Sequence, residues 1–264
     1  MPRHAEILVV AAAVIVLTLA VYAPSRAFLR TAGESVIYFV APTAERAYAT
    51  GARHFDAMNS TEYDIKRAER YFEKALVLNP KLPYLQHQLA RIAFLRGDFA
   101  TALSRINLEL EGNPNPSPSS YYVRGLIEGY IGKYTDAVKD YEVYVKSDPT
   151  NWAATNDLAW VLLKANRPKD ALAAIDKILP LWPENPWLLN SKTTALFELG
   201  RLQEAREAAT AASRAVMQIT ERDWLRAYPG NDPLIAAEGI QSFQSAVIQN
   251  MHSISVALEK SQKP

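Results

Sequence analysis

Cysteine is missing from this 264-residue sequence. Its absence excludes a disulfide framework, a cysteine-based zinc site, an iron–sulfur cluster, a thiol nucleophile and an acylated lipoprotein cysteine. Charge of one sign is missing too. Lys and Arg number 29 against 28 Asp and Glu, a formal net charge of +1, so no basic excess points to nucleic acid or an anionic surface. Histidine is scarce: His4, His54, His87 and His252 are scattered over unrelated stretches. No HExxH, GxSxG, Walker or GxGxxG pattern occurs, and the acidic residues are distributed like those of solvated helix faces. The sequence therefore predicts no enzyme, no metal and no cofactor. What is abundant is apolar surface. With 49% hydrophobic and 10% aromatic residues, the chain can bury a sizeable core.

Ile7 to Ala23 reads ILVVAAAVIVLTLAVYA, uncharged throughout. As a helix it covers roughly 25 Å, near the short end of what spans a hydrocarbon core. Tyr22 falls where an interfacial aromatic belongs, and Arg26 and Arg30 can snorkel. A cleaved signal peptide competes, with Val21-Tyr22-Ala23 as its site, but Pro24 would follow the cut. The sequence thus predicts a single-pass anchor in residues 1–30, meeting the lipid bilayer through Ile7–Ala23. Residues 31–42 follow as a linker or interfacial segment around Ser35–Val40. Arg3 on one flank nearly balances Arg26 and Arg30 on the other; the orientation taken is N-in, with the body outside the cytoplasm.

Beyond the anchor the chain repeats itself. Prolines recur at Pro80, Pro114, Pro149 and Pro183, spaced 34, 35 and 34 residues apart. Gly97, Gly132 and Gly200 each precede Phe99, Tyr134 or Leu202 by two residues, and Ala102, Ala137 and Ala205 follow three later. The unit is helix, tight turn, helix, proline. Proline ends the second helix because it cannot continue the hydrogen-bond ladder and biases its predecessor away from α.

This pattern resembles the tetratricopeptide repeat. The resemblance places small residues at the helix A crossing (Ala52, Ala90, Gly125, Ala159, Thr193), alanines early in helix B (Ala68, Ala102, Ala137, Ala171, Ala205) and bulky residues four further on (Phe72, Ile106, Tyr141, Ile175, with Ala209 as the weak member). It implies an all-α, right-handed helical solenoid of about five helix pairs over residues 43–217. The first unit carries extra residues around Asn59–Asp64, the fourth has Asn166-Arg167-Pro168 in place of the glycine turn, and the fifth has Met217 instead of a proline.

Residues 218–264 leave the repeat. A turn-rich break is followed by one long helix over Leu234–Glu259, capped by Asn231 or Asp232. Its stripe of Ile240, Phe243, Val247, Met251, Ile254 and Leu258 steps by three and four. The stripe suits a solenoid cap over the last repeat, or a seam through which the chain forms homo-oligomers or docks a partner.

The resemblance also implies where a protein or peptide ligand would lie, along the A helices. The corresponding positions are Tyr84, His87, Arg91 and Phe94; Tyr122, Leu126 and Tyr130; Asn156, Trp160 and Lys164; and Trp187, Asn190, Thr194 and Phe197. Rigid aromatics anchor a peptide and amides fix its backbone. Some of these rings are expected to pack between repeats instead. Asn156 and Asn190 sit where members that clamp a C-terminal carboxylate carry amides, but the accompanying Lys and Arg are missing, which argues against such a clamp. The function expected is a membrane-anchored scaffold that recruits a protein through this groove. The alternative is an assembly subunit that oligomerises through its terminal helix.

Overall fold

The computed structural model describes residues 33, 43–228 and 230–261. The expected anchor lies outside the described residues, as does nearly all of the linker. Among the described residues no helix is long and apolar enough to cross a membrane, and every regular element is helical. The chain divides into two compact units, residues 1–82 and 83–264.

In the first unit, α1 (Ala44–His54) and α2 (Ile65–Leu78) form a helical hairpin. Thr43 caps α1 by accepting from Arg46 N at 3.2 Å, and Asp64 caps α2 by accepting from Arg67 N at 2.9 Å. The crossing residue is Gly51, not Ala52. A Cβ on Gly51 would stand 2.8 Å from the Phe72 ring and 3.1 Å from the Ala68 carbonyl, whereas Ala52 is only half-buried. The longer connection over residues 55–64 shifts the register of α1 by one residue against α2.

The second unit begins with four hairpins: α3 (Leu85–Leu95) and α4 (Phe99–Gly112), α5 (Pro118–Tyr130) and α6 (Tyr134–Ser147), α7 (Trp152–Lys164) and α8 (Pro168–Ile178), α9 (Pro186–Glu198) and α10 (Leu202–Val216). Each helix packs on the next in sequence, and α3, α5, α7 and α9 also touch in succession. The turn inside each hairpin needs one left-handed residue. Gly97, Gly132 and Gly200 supply it, and Asn166 takes the same conformation at φ 57°. Asparagine tolerates that region better than other side chains, so the fourth unit's departure in sequence is no departure in shape. Ala102, Ala137, Ala171 and Ala205 are fully buried, as are Ile106, Tyr141 and Ile175, with Ala209 all but so. A larger side chain at the alanines would push paired helices apart. Tyr134, two residues after the Gly132 turn, is half-buried.

The break after α10 is more ordered than its turn-rich composition suggests. Residues Glu221–Ala227 form α11, opened by a capping box in which Thr220 and Asp223 satisfy each other's backbone N–H. Asp232 then caps a 3₁₀ turn, Pro233–Ile235, and the last helix α12 spans Ala236–Ser261, starting two residues later than the sequence pattern placed it. Its apolar stripe turns inward. Val247 and Ile254 are buried, and Phe243, Met251 and Leu258 pack beside them against residues of α9 and α10. Gln244 Nε2 donates to the Val216 carbonyl at 3.2 Å, closing the end of α10. An intermolecular seam through this stripe is not available while the helix covers the last hairpin.

Candidate functional site

The A-type helices α3, α5, α7 and α9 present two rows of side chains, one near their C-terminal ends and one near their N-terminal ends. In the first row Phe94, Tyr130 and Trp160 stand in line. Phe94 and Tyr130 meet edge to face at 4.9 Å, and Tyr130 and Trp160 lie tilted to each other at 5.5 Å. Phe99 backs the row at 5.6 Å from Phe94 and 5.9 Å from Tyr130. Tyr130 stays 58% exposed, and Phe197 further along is 38% exposed. Gly129 makes room for the row: a Cβ there would fall 2.7 Å from the Trp160 ring. Lys164 lies exposed and Leu126 half-buried on the core.

The second row is more polar and more closed. Tyr122 donates a hydrogen bond to Asp157 Oδ2, and Asn156 Nδ2 approaches Asp157 Oδ1 at 3.5 Å. Asn156 in turn accepts from Ser191 at 2.8 Å. Tyr122 also packs at 5.3 Å from Tyr141 and 5.1 Å from Tyr144. Burial pushes the Asp157 carboxyl up to about 6, although the Tyr122 and Asn156 hydrogen bonds pull it back. Burial, and after it the Asp157 charge, holds the phenols of Tyr122, Tyr130 and Tyr141 above their usual range. Tyr228 is pushed to about 12, chiefly by burial, and it too feels Asp157. Four tyrosine hydroxyls thus lie in the field of one carboxylate.

Several expected groove residues are committed to the protein itself. Trp187 is buried, not presented. Its ring stacks on Phe243 of α12 at 5.3 Å, meets Trp152 at 5.0 Å, and donates from Nε1 to the Tyr228 hydroxyl at 3.1 Å. Asn190 accepts from Asn250 of α12 at 2.9 Å, and Thr194 donates back to the Asn190 carbonyl at 3.2 Å. His87 is likewise buried, with Nδ1 3.1 Å from Ser120 Oγ. Burial and then the Arg91 charge lower its pKa to about 3. Tyr84 holds φ at 65° with its N–H donating to Glu109 and its ring 5.4 Å from His87. Arg91, half-buried, donates to Gln88 at 3.0 Å. The C-terminal segment therefore closes one end of the face, and Phe94, Tyr130 and Trp160 remain the open part.

Asp157, Ser191, Tyr228 and Gly129 were not among the expected site residues. Asp157 precedes Trp160 by three and Lys164 by seven, the spacing of one helical face. Tyr228 lies outside the repeat and carries no such signal.

Two segments match family models described as tetratricopeptide repeat, residues 83–106 and 122–186. No curated protein matches the chain in sequence. Among solved structures, the MamA RS-1 ArsTM double mutant superposes with a TM-score of 0.57 at 17% identity, over 65% of this chain and 93% of its own. MamA AMB-1 gives 0.56 at 16% identity over 66% and 99%. MamA MSR-1 gives 0.55 at 15% identity over 66% and 98%. These likenesses speak for the fold. With in-phase hairpins, left-handed turn residues and buried crossing alanines around them, residues 83–106 and 122–186 are tetratricopeptide repeats, and the hairpins beside them share that architecture.

Proposed function

We propose that this protein is an interaction scaffold, not an enzyme, that holds a peptide or an extended segment of a protein partner along the face of α3, α5, α7 and α9. The observation that carries the reading is the line of Phe94, Tyr130 and Trp160. Three rings at van der Waals spacing remain partly open on a face whose far end is closed by the chain's own C-terminal segment. Rigid aromatics lose little entropy on binding and tend to dominate interface energetics. The apolar run Ile7–Ala23 supports the second half of the proposal, a bilayer anchor that keeps the scaffold at a membrane with its body outside the cytoplasm. The inward stripe of α12 gives the assembly alternative no comparable support.

The test is crosslinking of the full-length protein in membranes, with identification of what is captured. Trp160→Ala should weaken capture more than tenfold while the protein stays helical by circular dichroism. A variant that melts while capturing the same partners would make Trp160 a packing residue and remove the groove. Carbonate washing checks the anchor: the protein should remain in the pellet with its N-terminal residues intact, and a soluble chain beginning near Pro24 would replace the anchor with a signal peptide.

A further inference from the structure

Among the described residues Asp157 has no counter-ion: its hydrogen bonds come from Tyr122 and Asn156, both neutral, and no cation shifts its carboxyl. Two cations on the flanking helices α5 and α9 are engaged elsewhere. Arg124 grips Asp140 through two bonds of 2.6 and 2.8 Å, and Lys192 holds Asp176 at 2.6 Å. Lys164 is seven residues along the same helix, roughly 10 Å away by the helical rise, about one screening length in physiological salt. A second, independent oddity points to the same spot. The Tyr141 hydroxyl is fully buried, has no hydrogen-bond partner among the described residues, feels the Asp157 charge, and its ring meets that of Tyr122 edge to face. A buried polar atom with no partner costs free energy unless something satisfies it.

Around this carboxylate the walls are aromatic. Tyr122, Tyr130 and Tyr228 sense the Asp157 charge, Trp160 is its neighbour one helical turn on, and Tyr130 packs against Trp160. A fixed negative charge among ring faces and edges is suited to a cationic side chain, whose head pairs with the carboxylate while its stem lies on the rings. The other side-chain classes fit less well. An apolar side chain would leave Asp157 ionised and more deeply desolvated, and an acidic one would add repulsion.

We propose that this part of the groove takes one lysine or arginine of the bound segment, with its charged head at Asp157 and its stem along Trp160 and Tyr130. The assignment rests on the groove reading above and adds to it the chemistry of one anchor residue.

A random decapeptide library, selected against the full chain in detergent micelles, tests the assignment. Selected peptides should share a Lys or Arg at one position. Replacing that residue by norleucine should weaken binding at least tenfold to the wild type, and less than twofold to Asp157→Asn. Trp160→Ala should weaken the same peptides. Peptides that depend on Trp160 but carry no shared cation, or that tolerate norleucine, overturn the cation site and leave the groove standing. Peptides indifferent to Trp160, or no selected peptide at all, overturn both. The norleucine exchange is made on the ligand, so its outcome does not depend on how any protein variant folds.

Discussion

Replacing Asp157 by asparagine should make the protein more stable at neutral pH, and the gain should vanish in acid. The folded state holds the carboxyl at about 6 against an ordinary value of 3.8. A raised carboxyl means that the native chain keeps a proton the unfolded chain has lost. Folding is therefore penalised as pH rises from about 4 to 6, and the penalty is complete above 6. A difference of about two pH units corresponds to roughly 3 kcal/mol, and the partial openness of the site reduces that to about 1–3 kcal/mol. Asparagine retains an oxygen for the Tyr122 hydroxyl and removes the charge. For a body of this size the gain translates to a rise of about 3–10 °C in Tm. Thermal unfolding followed by circular dichroism at about pH 7.5 and at about pH 4 should show the two curves well apart in the first buffer and nearly coincident in the second. A variant less stable than the wild type at neutral pH, or a gap that does not close in acid, would refute the argument that Asp157 is an unbalanced charge.

His87 should set the opposite limb. Its folded pKa of about 3 against 6.5 means the native state refuses a proton that the unfolded chain accepts, so its contribution is present above 6.5 and lost as pH falls toward 3. His87→Gln should flatten the decline in Tm between about pH 6 and pH 4. Gly129→Ala places a methyl 2.7 Å from the Trp160 ring; it should displace that ring and reproduce the binding loss of Trp160→Ala in the same capture experiment, with the helical signal retained. Tyr228→Phe leaves the buried Trp187 N–H without its acceptor and should cost about 1–3 kcal/mol in urea unfolding.

The hairpins could be read in advance because each is punctuated by residues whose backbone constraints are visible without a structure. Proline after helix B, glycine in the turn and alanine at the crossing recur at fixed spacing, and Asn166 and the displaced Gly51 depart from that pattern without departing from the fold. The site was less legible. Tyr130, Trp160 and Phe94 follow from their positions on helix A, but Trp187 and Asn190, nearer the N-terminal end of the same type of helix, are covered. What covers them, Phe243, Tyr228 and Asn250, comes from a stretch without repeat periodicity. Asp157 looked like any acidic residue on a helix, because its lack of a partner is a property of its neighbours in space. Helix α11 was hidden by the tyrosine, proline and glycine that follow it, which mark a turn while the capping box Thr220–Asp223 marks a start.

The contact between Tyr228 and Trp187 acts as a ruler on the number of repeats. Stacked hairpins ordinarily touch only their neighbours, so units can be inserted or removed with local consequences. Here the segment after the last hairpin returns to α9, places Tyr228 within the field of Asp157 on α7, and seats Trp224 on Gly239, where a Cβ would fall 2.2 Å from the ring. An extra hairpin inserted after α10 would carry α11 away by about two interhelix spacings, some 20 Å, too far for one side chain to span. Lengthening this solenoid would therefore reopen the closed end of its own groove, so the array cannot grow without losing the lock that finishes it.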